Sequence, residues 1–139
     1  MRTTTGTLWI RGMGAVTIPH AEIRFVGNSV IIRYPEATDQ MPNTITTIYI
    51  LSAAKPTVRV VRDGDVRSDY RFVDQTETHG QIVLPEGIVP IAMKTRSLSI
   101  RRESLGIEVV IDALLVLTSD DTPLKIDLVL KWPEDTLTP

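Results

Sequence analysis

Residues 107–132, IEVVIDALLVLTSDDTPLKIDLVLKW, decide the fold. In the first half Ile107, Val109, Ile111, Ala113, Leu115 and Leu117 occupy every second position, and in the second half Leu124, Ile126, Leu128, Leu130 and Trp132 do the same. Side chains alternate across a strand, so period two marks a strand with one buried face. Residues 118–123, between the two runs, are turn formers, which predicts an antiparallel hairpin. Its outward face is mixed. Val110, Leu114, Val116 and Val129 stand there among Glu108, Asp112, Lys125, Asp127 and Lys131. Aliphatics on the outward face call for cover, from a second layer of the same chain or from a neighbour. Those four residues are therefore the expected contact surface.

The same pattern recurs upstream. Residues 7–11 are strand-like, and residues 21–26 and 29–34 flank Gly27-Asn28, a pair that accepts the positive φ of a tight hairpin turn. Residues 35–43 read as a polar loop, and residues 45–51 as a strand apolar on both faces. Asp63-Gly64 joins residues 57–62 to 66–73, where Val58 and Val60 are expected to meet Tyr70 and Phe72 while Arg59, Arg67, Asp69 and Arg71 face water. Residues 74–80 read as a loop. The short runs 81–84 and 88–93, broken by Pro85, Gly87 and Pro90, suit edges or corners. Residues 97–101 alternate again, with Leu98 and Ile100 inward. The expectation is an all-β domain over residues 1–132: an antiparallel, jelly-roll-like sandwich of about nine strands, with a closed barrel as the alternative. Residues 133–139, rich in proline, are expected to form an extended arm.

Composition agrees with this class. Ile, Val and Thr supply 46 of the 139 residues, the β-branched bias of strands. A chain of this length buries roughly 68% of its unfolded surface, which makes a core without staples. Cysteine is absent, so disulfides and thiolate metal sites are excluded. No apolar stretch resembles a signal peptide or a membrane-spanning helix, so synthesis in the cytoplasm is expected. Residues 1–102 carry 13 basic and 9 acidic groups and residues 103–139 carry 2 and 8, an asymmetry suited to head-to-tail contact between copies.

No constellation points to catalysis, a cofactor or a metal. His20 and His79 are the two histidines, and nothing in their spacing brings them together. Asp63-Gly64-Asp65 is explained as a turn, and Asp120-Asp121 as a solvated loop pair. Gly12-Met13-Gly14 opens like a dinucleotide fingerprint, but position 17 is Thr and no helix follows. An enzyme using Asp74, Glu77 and His79 is the weakest candidate. A basic set, Arg59, Arg67, Arg71, Arg96, Arg101 and Arg102, suits a polyanion or nucleic acid. Stacking aromatics are scarce for that role, because Phe25, Tyr34, Tyr70, Phe72 and Trp132 all sit in inward phase and only Trp9 and Tyr49 are ambiguous. No small-molecule ligand is indicated. The leading expectation is a non-enzymatic structural subunit that assembles with copies of itself and with neighbouring proteins. By compositional analogy it suits a virion part such as a phage tail, connector or capsid-decoration protein. A β-fold module binding nucleic acid or another polyanion is the alternative.

Overall fold

The computed structural model describes residues 2–12, 15–36, 43–117 and 120–134. Among them run ten strands: β1 (Arg2–Arg11), β2 (Ala15–Val26), β3 (Ser29–Glu36), β4 (Thr44–Leu51), β5 (Thr57–Asp63), β6 (Arg67–Val73), β7 (Glu77–Leu84), β8 (Gly87–Glu103), β9 (Gly106–Leu117) and β10 (Asp120–Lys131). Each pairs antiparallel with the next, and β1 pairs with β10, from Thr7↔Lys131 to Arg11↔Asp127, which closes the ring. The all-β class holds, and of its two architectures the barrel is the one formed. A sandwich needs two sheets with free edges, and the β1–β10 ladder removes both.

The two strongest hairpin signals are where expected. Val26↔Ser29 closes around Gly27, whose φ is 56°. Across β5–β6 the pairs are Val58↔Phe72 and Val60↔Tyr70. In the final hairpin Ile107↔Leu130, Val109↔Leu128, Ile111↔Ile126 and Ala113↔Leu124 face inward together. There the strands extend further than expected, since Asp120 to Pro123 continue β10 against Leu114 to Leu117.

Ten strands form where about nine are expected, and two segments differ from the sequence reading. Residues 77–80 belong to β7, and residues 87–103 are one strand. A register shift between Thr95 and Ser97 places an extra residue, Arg96, in β8. Ile91, Met93 and Thr95 are buried before it and Leu98 after it, so the inward phase changes from odd to even numbers. A single strand with a phase change reads in sequence as two. β2 contains the same device near Pro19, opposite the shift between Gly6 and Leu8.

The core fills the ring. Leu8, Ile23, Ile32, Ile50, Phe72 and Leu130 are almost wholly buried. One end is plugged by Trp132, whose ring meets Phe25 edge-on at 5.0 Å and whose backbone N–H donates to the Leu105 carbonyl at 3.1 Å. Of the expected arm, Pro133 and Glu134 follow this plug, and residues 135–139 lie outside the described residues. Among the described residues no helix is long and apolar enough to cross a membrane.

Candidate binding cavity in the barrel

The site grows from one phase of four neighbouring strands. On β3 to β6 the inward positions are even-numbered, and the registers align them in layers. Val30, Ile50, Val58 and Phe72 form an apolar layer; Ile32, Ile48, Val60 and Tyr70 form the next. Above them Tyr34, Thr46, Arg62 and Ser68 form a polar layer, and Glu36 stands one step beyond, across from Thr44. The barrel interior thus changes from apolar to polar towards the end that carries the β3–β4 and β5–β6 connections.

At that end is a cavity of about 560 Å³. Tyr34, Glu36, Arg62 and Tyr70 lie on one side of it, and Ile10, Ile18, Ile111, Ile126 and Leu128 on the other. The volume falls within the range of about 300–1,000 Å³ usual for small-molecule sites, which barrels of this kind commonly hold in their mouths.

Arg62 organises the polar side. Its Nε donates to both Glu36 oxygens, at 3.3 Å each, and its Nη1 donates to the Tyr70 hydroxyl at 3.2 Å. The guanidinium also lies 6.0 Å from the Tyr70 ring centroid. The two charged side chains keep only 24% and 16% of their surface, so the pair is screened far less than one in open water. Burial works against the Arg62 charge, but Tyr70 and Glu36 more than offset it and its pKa is raised. Burial is also the main reason that the Tyr34 hydroxyl is pushed up to about 12, with Glu36 adding to the shift and Arg62 opposing it. The hydroxyls of Thr44 and Ser68, in the same polar region, are buried without a hydrogen-bond partner among the described residues.

The residues expected from the sequence to make contacts lie elsewhere. Val110, Leu114, Val116 and Val129 do share the outer wall of β9 and β10; Val110 is 40% exposed and the others are half-buried between neighbours. Trp9, 37% exposed, stands across from Val129 and extends this wall onto β1. No second layer of the described chain covers it, because a single ring has only an inside and an outside. Tyr49 also points outward and lies under Arg59 at 5.7 Å.

The six arginines do not form one face. Arg59 and Arg71 are directly opposite on β5 and β6, with Arg59 held by Asp69 at 2.6 and 2.9 Å. Arg67 is at the far end of β6, while Arg96, Arg101 and Arg102 are on β8. Arg101 is bound by Glu108 at 2.9 Å and Arg96 lies 3.9 Å from Asp112. Much of the expected positive field is therefore neutralised locally.

His20 on β2 and His79 on β7 are on opposite sides of the ring. Asp74 is occupied as an acceptor for the Leu98 N–H at 2.8 Å, and Asp65 as one for the Asn43 N–H at 3.1 Å. Among the described residues no three His, Asp or Glu side chains gather as metal ligands do.

Sequence reasoning missed Glu36 and Arg62 as a pair. The signal was present: Glu36 continues the phase of Val30, Ile32 and Tyr34, and Arg62 that of Val58 and Val60. Their charge argued for loop or surface, and the period argued for the interior.

A solved structure, the ywiB protein from Bacillus subtilis, superposes with a TM-score of 0.66 at 17% identity, over 94% of this chain and 90% of that one. This likeness shows the fold. No curated protein matches the chain. A family model described as "Domain of unknown function (DUF1934)" matches residues 20–123, from β2 to the start of β10 and across the whole polar side of the cavity. The chain belongs to that family.

Proposed function

We propose that this protein is a non-enzymatic binding barrel that takes a small amphipathic molecule into its mouth. The observation that carries this reading is the cavity of about 560 Å³, in which an aliphatic wall faces Arg62, Glu36, Tyr34 and Tyr70. Apolar surface supplies affinity in such sites, and a few convergent polar groups fix orientation. Those groups are held as an ion pair and a hydrogen bond rather than as a nucleophile with its base, which favours binding over turnover. The sequence indicates no small-molecule ligand; the cavity at the mouth is what brings that class forward. Titration with Nile red, a neutral apolar dye, tests it. Saturable one-to-one fluorescence enhancement is expected, and Ile18→Trp, which fills the mouth, abolishes it in a folded barrel. Equal enhancement in Ile18→Trp would reject the reading.

Self-association is a second reading, favoured by the outer wall of β1, β9 and β10. Trp9 and Val110 are exposed there, next to Val129. Light scattering across a concentration series should show a dimer or larger species that Val110→Asp disperses. A strict monomer at high concentration rejects it. For a virion role the support is composition alone, and the barrel adds nothing to it. For polyanion binding the support is the Arg59 and Arg71 pair, weakened by the acidic partners of Arg59, Arg96 and Arg101.

A further inference from the structure

The polar side of the cavity is rich in hydrogen-bond donors. A guanidinium has five N–H donors. Those of Arg62 go from Nε to both Glu36 oxygens and from Nη1 to Tyr70, which leaves Nη2 without a hydrogen bond among the described residues. Tyr70 accepts from Arg62, so its own O–H is free to donate. Tyr34 stays protonated at every physiological pH and is a further donor. The one obligate acceptor, Glu36, already has both oxygens against Arg62 Nε.

Depth separates the two edges of the guanidinium. Glu36 pairs across from Thr44, one layer nearer the β3–β4 connection than Arg62, whereas Tyr70 lies one layer deeper. Arg62 therefore turns its Nε edge to an acid on the outer side and its Nη edge to the interior. An amine entering the cavity would meet the Arg62 cation, and the one carboxylate on this side is already engaged by Arg62. A carboxylate would meet free donors on a planar fork shaped for it.

Resting on the binding-barrel reading above, we propose that the ligand is an apolar molecule ended by a carboxylate. Its oxygens take the Nη edge of Arg62 and the Tyr70 hydroxyl, and its apolar body lies against Ile10, Ile18, Ile111, Ile126 and Leu128. Glu36 competes for the same guanidinium, so it sets the affinity without closing the site.

The test is displacement of Nile red by decanoate, decanol and decylamine at neutral pH, each below its aggregation limit. Decanoate is expected to compete at a concentration about ten-fold lower than decanol or decylamine, the size of one charge-assisted hydrogen bond. Arg62→Met removes that preference, read as the ratio of decanoate to decanol competition within the variant, and Glu36→Gln tightens decanoate several-fold. Decanol or decylamine matching decanoate overturns the proposal, as does an unchanged preference in Arg62→Met. If Arg62→Met fails to fold, Glu36→Gln decides: tighter decanoate supports the proposal and weaker decanoate overturns it. A wild-type barrel that binds no dye at all removes the binding-barrel reading itself, whereas dye bound without a carboxylate preference removes only this inference.

Discussion

Arg62 and Glu36 are bonded over the top of a strand that separates them. Arg62 is on β5 and Glu36 on β3, yet the guanidinium and carboxylate meet at 3.3 Å across the inner face of β4. The β4 residues in their two layers are Thr46 and Thr44, both almost fully buried. Side chains of this size leave room for a bridge above them. This one contact ties three strands at the mouth and gives the cavity its polar side.

The bridge should appear as coupling in a double-mutant cycle. Glu36→Gln and Arg62→Met are each expected to cost about 1–3 kcal/mol in urea unfolding, because each leaves a buried partner imperfectly satisfied. The double variant should lose less than the sum, with a coupling of about 1 kcal/mol. Strict additivity would mean that the two side chains do not interact in solution.

Alkaline pH should weaken the barrel through Tyr34. Burial pushes its hydroxyl up to about 12 in the folded state, against an ordinary value of 10.0. As pH rises past the unfolded value, the unfolded chain gives up this proton first, so stability falls with pH. The contribution is fully present below pH 10.0 and is lost as pH climbs through about 12. Two pKa units correspond to about 2–3 kcal/mol. Tyr34→Phe should flatten that part of the pH–stability curve; an unchanged slope would place the alkaline transition on another group.

The plug should be separable from the mouth. Trp132→Ala is expected to cost about 3–5 kcal/mol, the range for a large buried aromatic. Removing residues 133–139 while keeping Trp132 is expected to cost less than about 1 kcal/mol, in keeping with the exposure of Pro133 and Glu134 and the usual tolerance of chain termini. Thermal melts of Trp132→Ala and of the chain ending at 132 make the comparison. Similar melting of both would move the domain boundary.

On the outer wall the expectation is the reverse of that at the mouth. Arg59 and Asp69 form the shortest ion pair of the described residues, and the Arg59 hydrogen bond lowers the Asp69 pKa, yet both side chains are about half exposed. Solvent screening limits such pairs to about 0–1 kcal/mol. Asp69→Asn should therefore barely shift the urea midpoint, and added salt should erase the difference. A loss as large as that of Glu36→Gln would show that exposure is a poor guide here.

Much of this was legible in the chain. Alternation located both halves of the final hairpin, and Gly27-Asn28 and Asp63-Gly64 marked turns that form, Gly64 with a φ of 143°. The inward aromatics Tyr34, Tyr70, Phe72 and Trp132 are buried as their phase required. What failed did so for a local reason. Arg96 breaks the phase of β8, so one strand looked like two. The polarity of residues 77–80 looked like a loop, although Thr78 is buried and its hydroxyl donates to the Arg71 carbonyl where the β6–β7 ladder lapses.

Strand class, most of the turns and the residues that share a face are written in the local chain, because period two and positive-φ turn residues are local properties. Closure of the first strand on the last emerges with the assembled fold, since the β1–β10 ladder joins segments more than a hundred residues apart and no local pattern encodes it. Closure then gave the even phase of β3 to β6 its meaning. In an open sheet, Glu36 and Arg62 would be charges on a surface; inside a ring they face an aliphatic wall across a cavity.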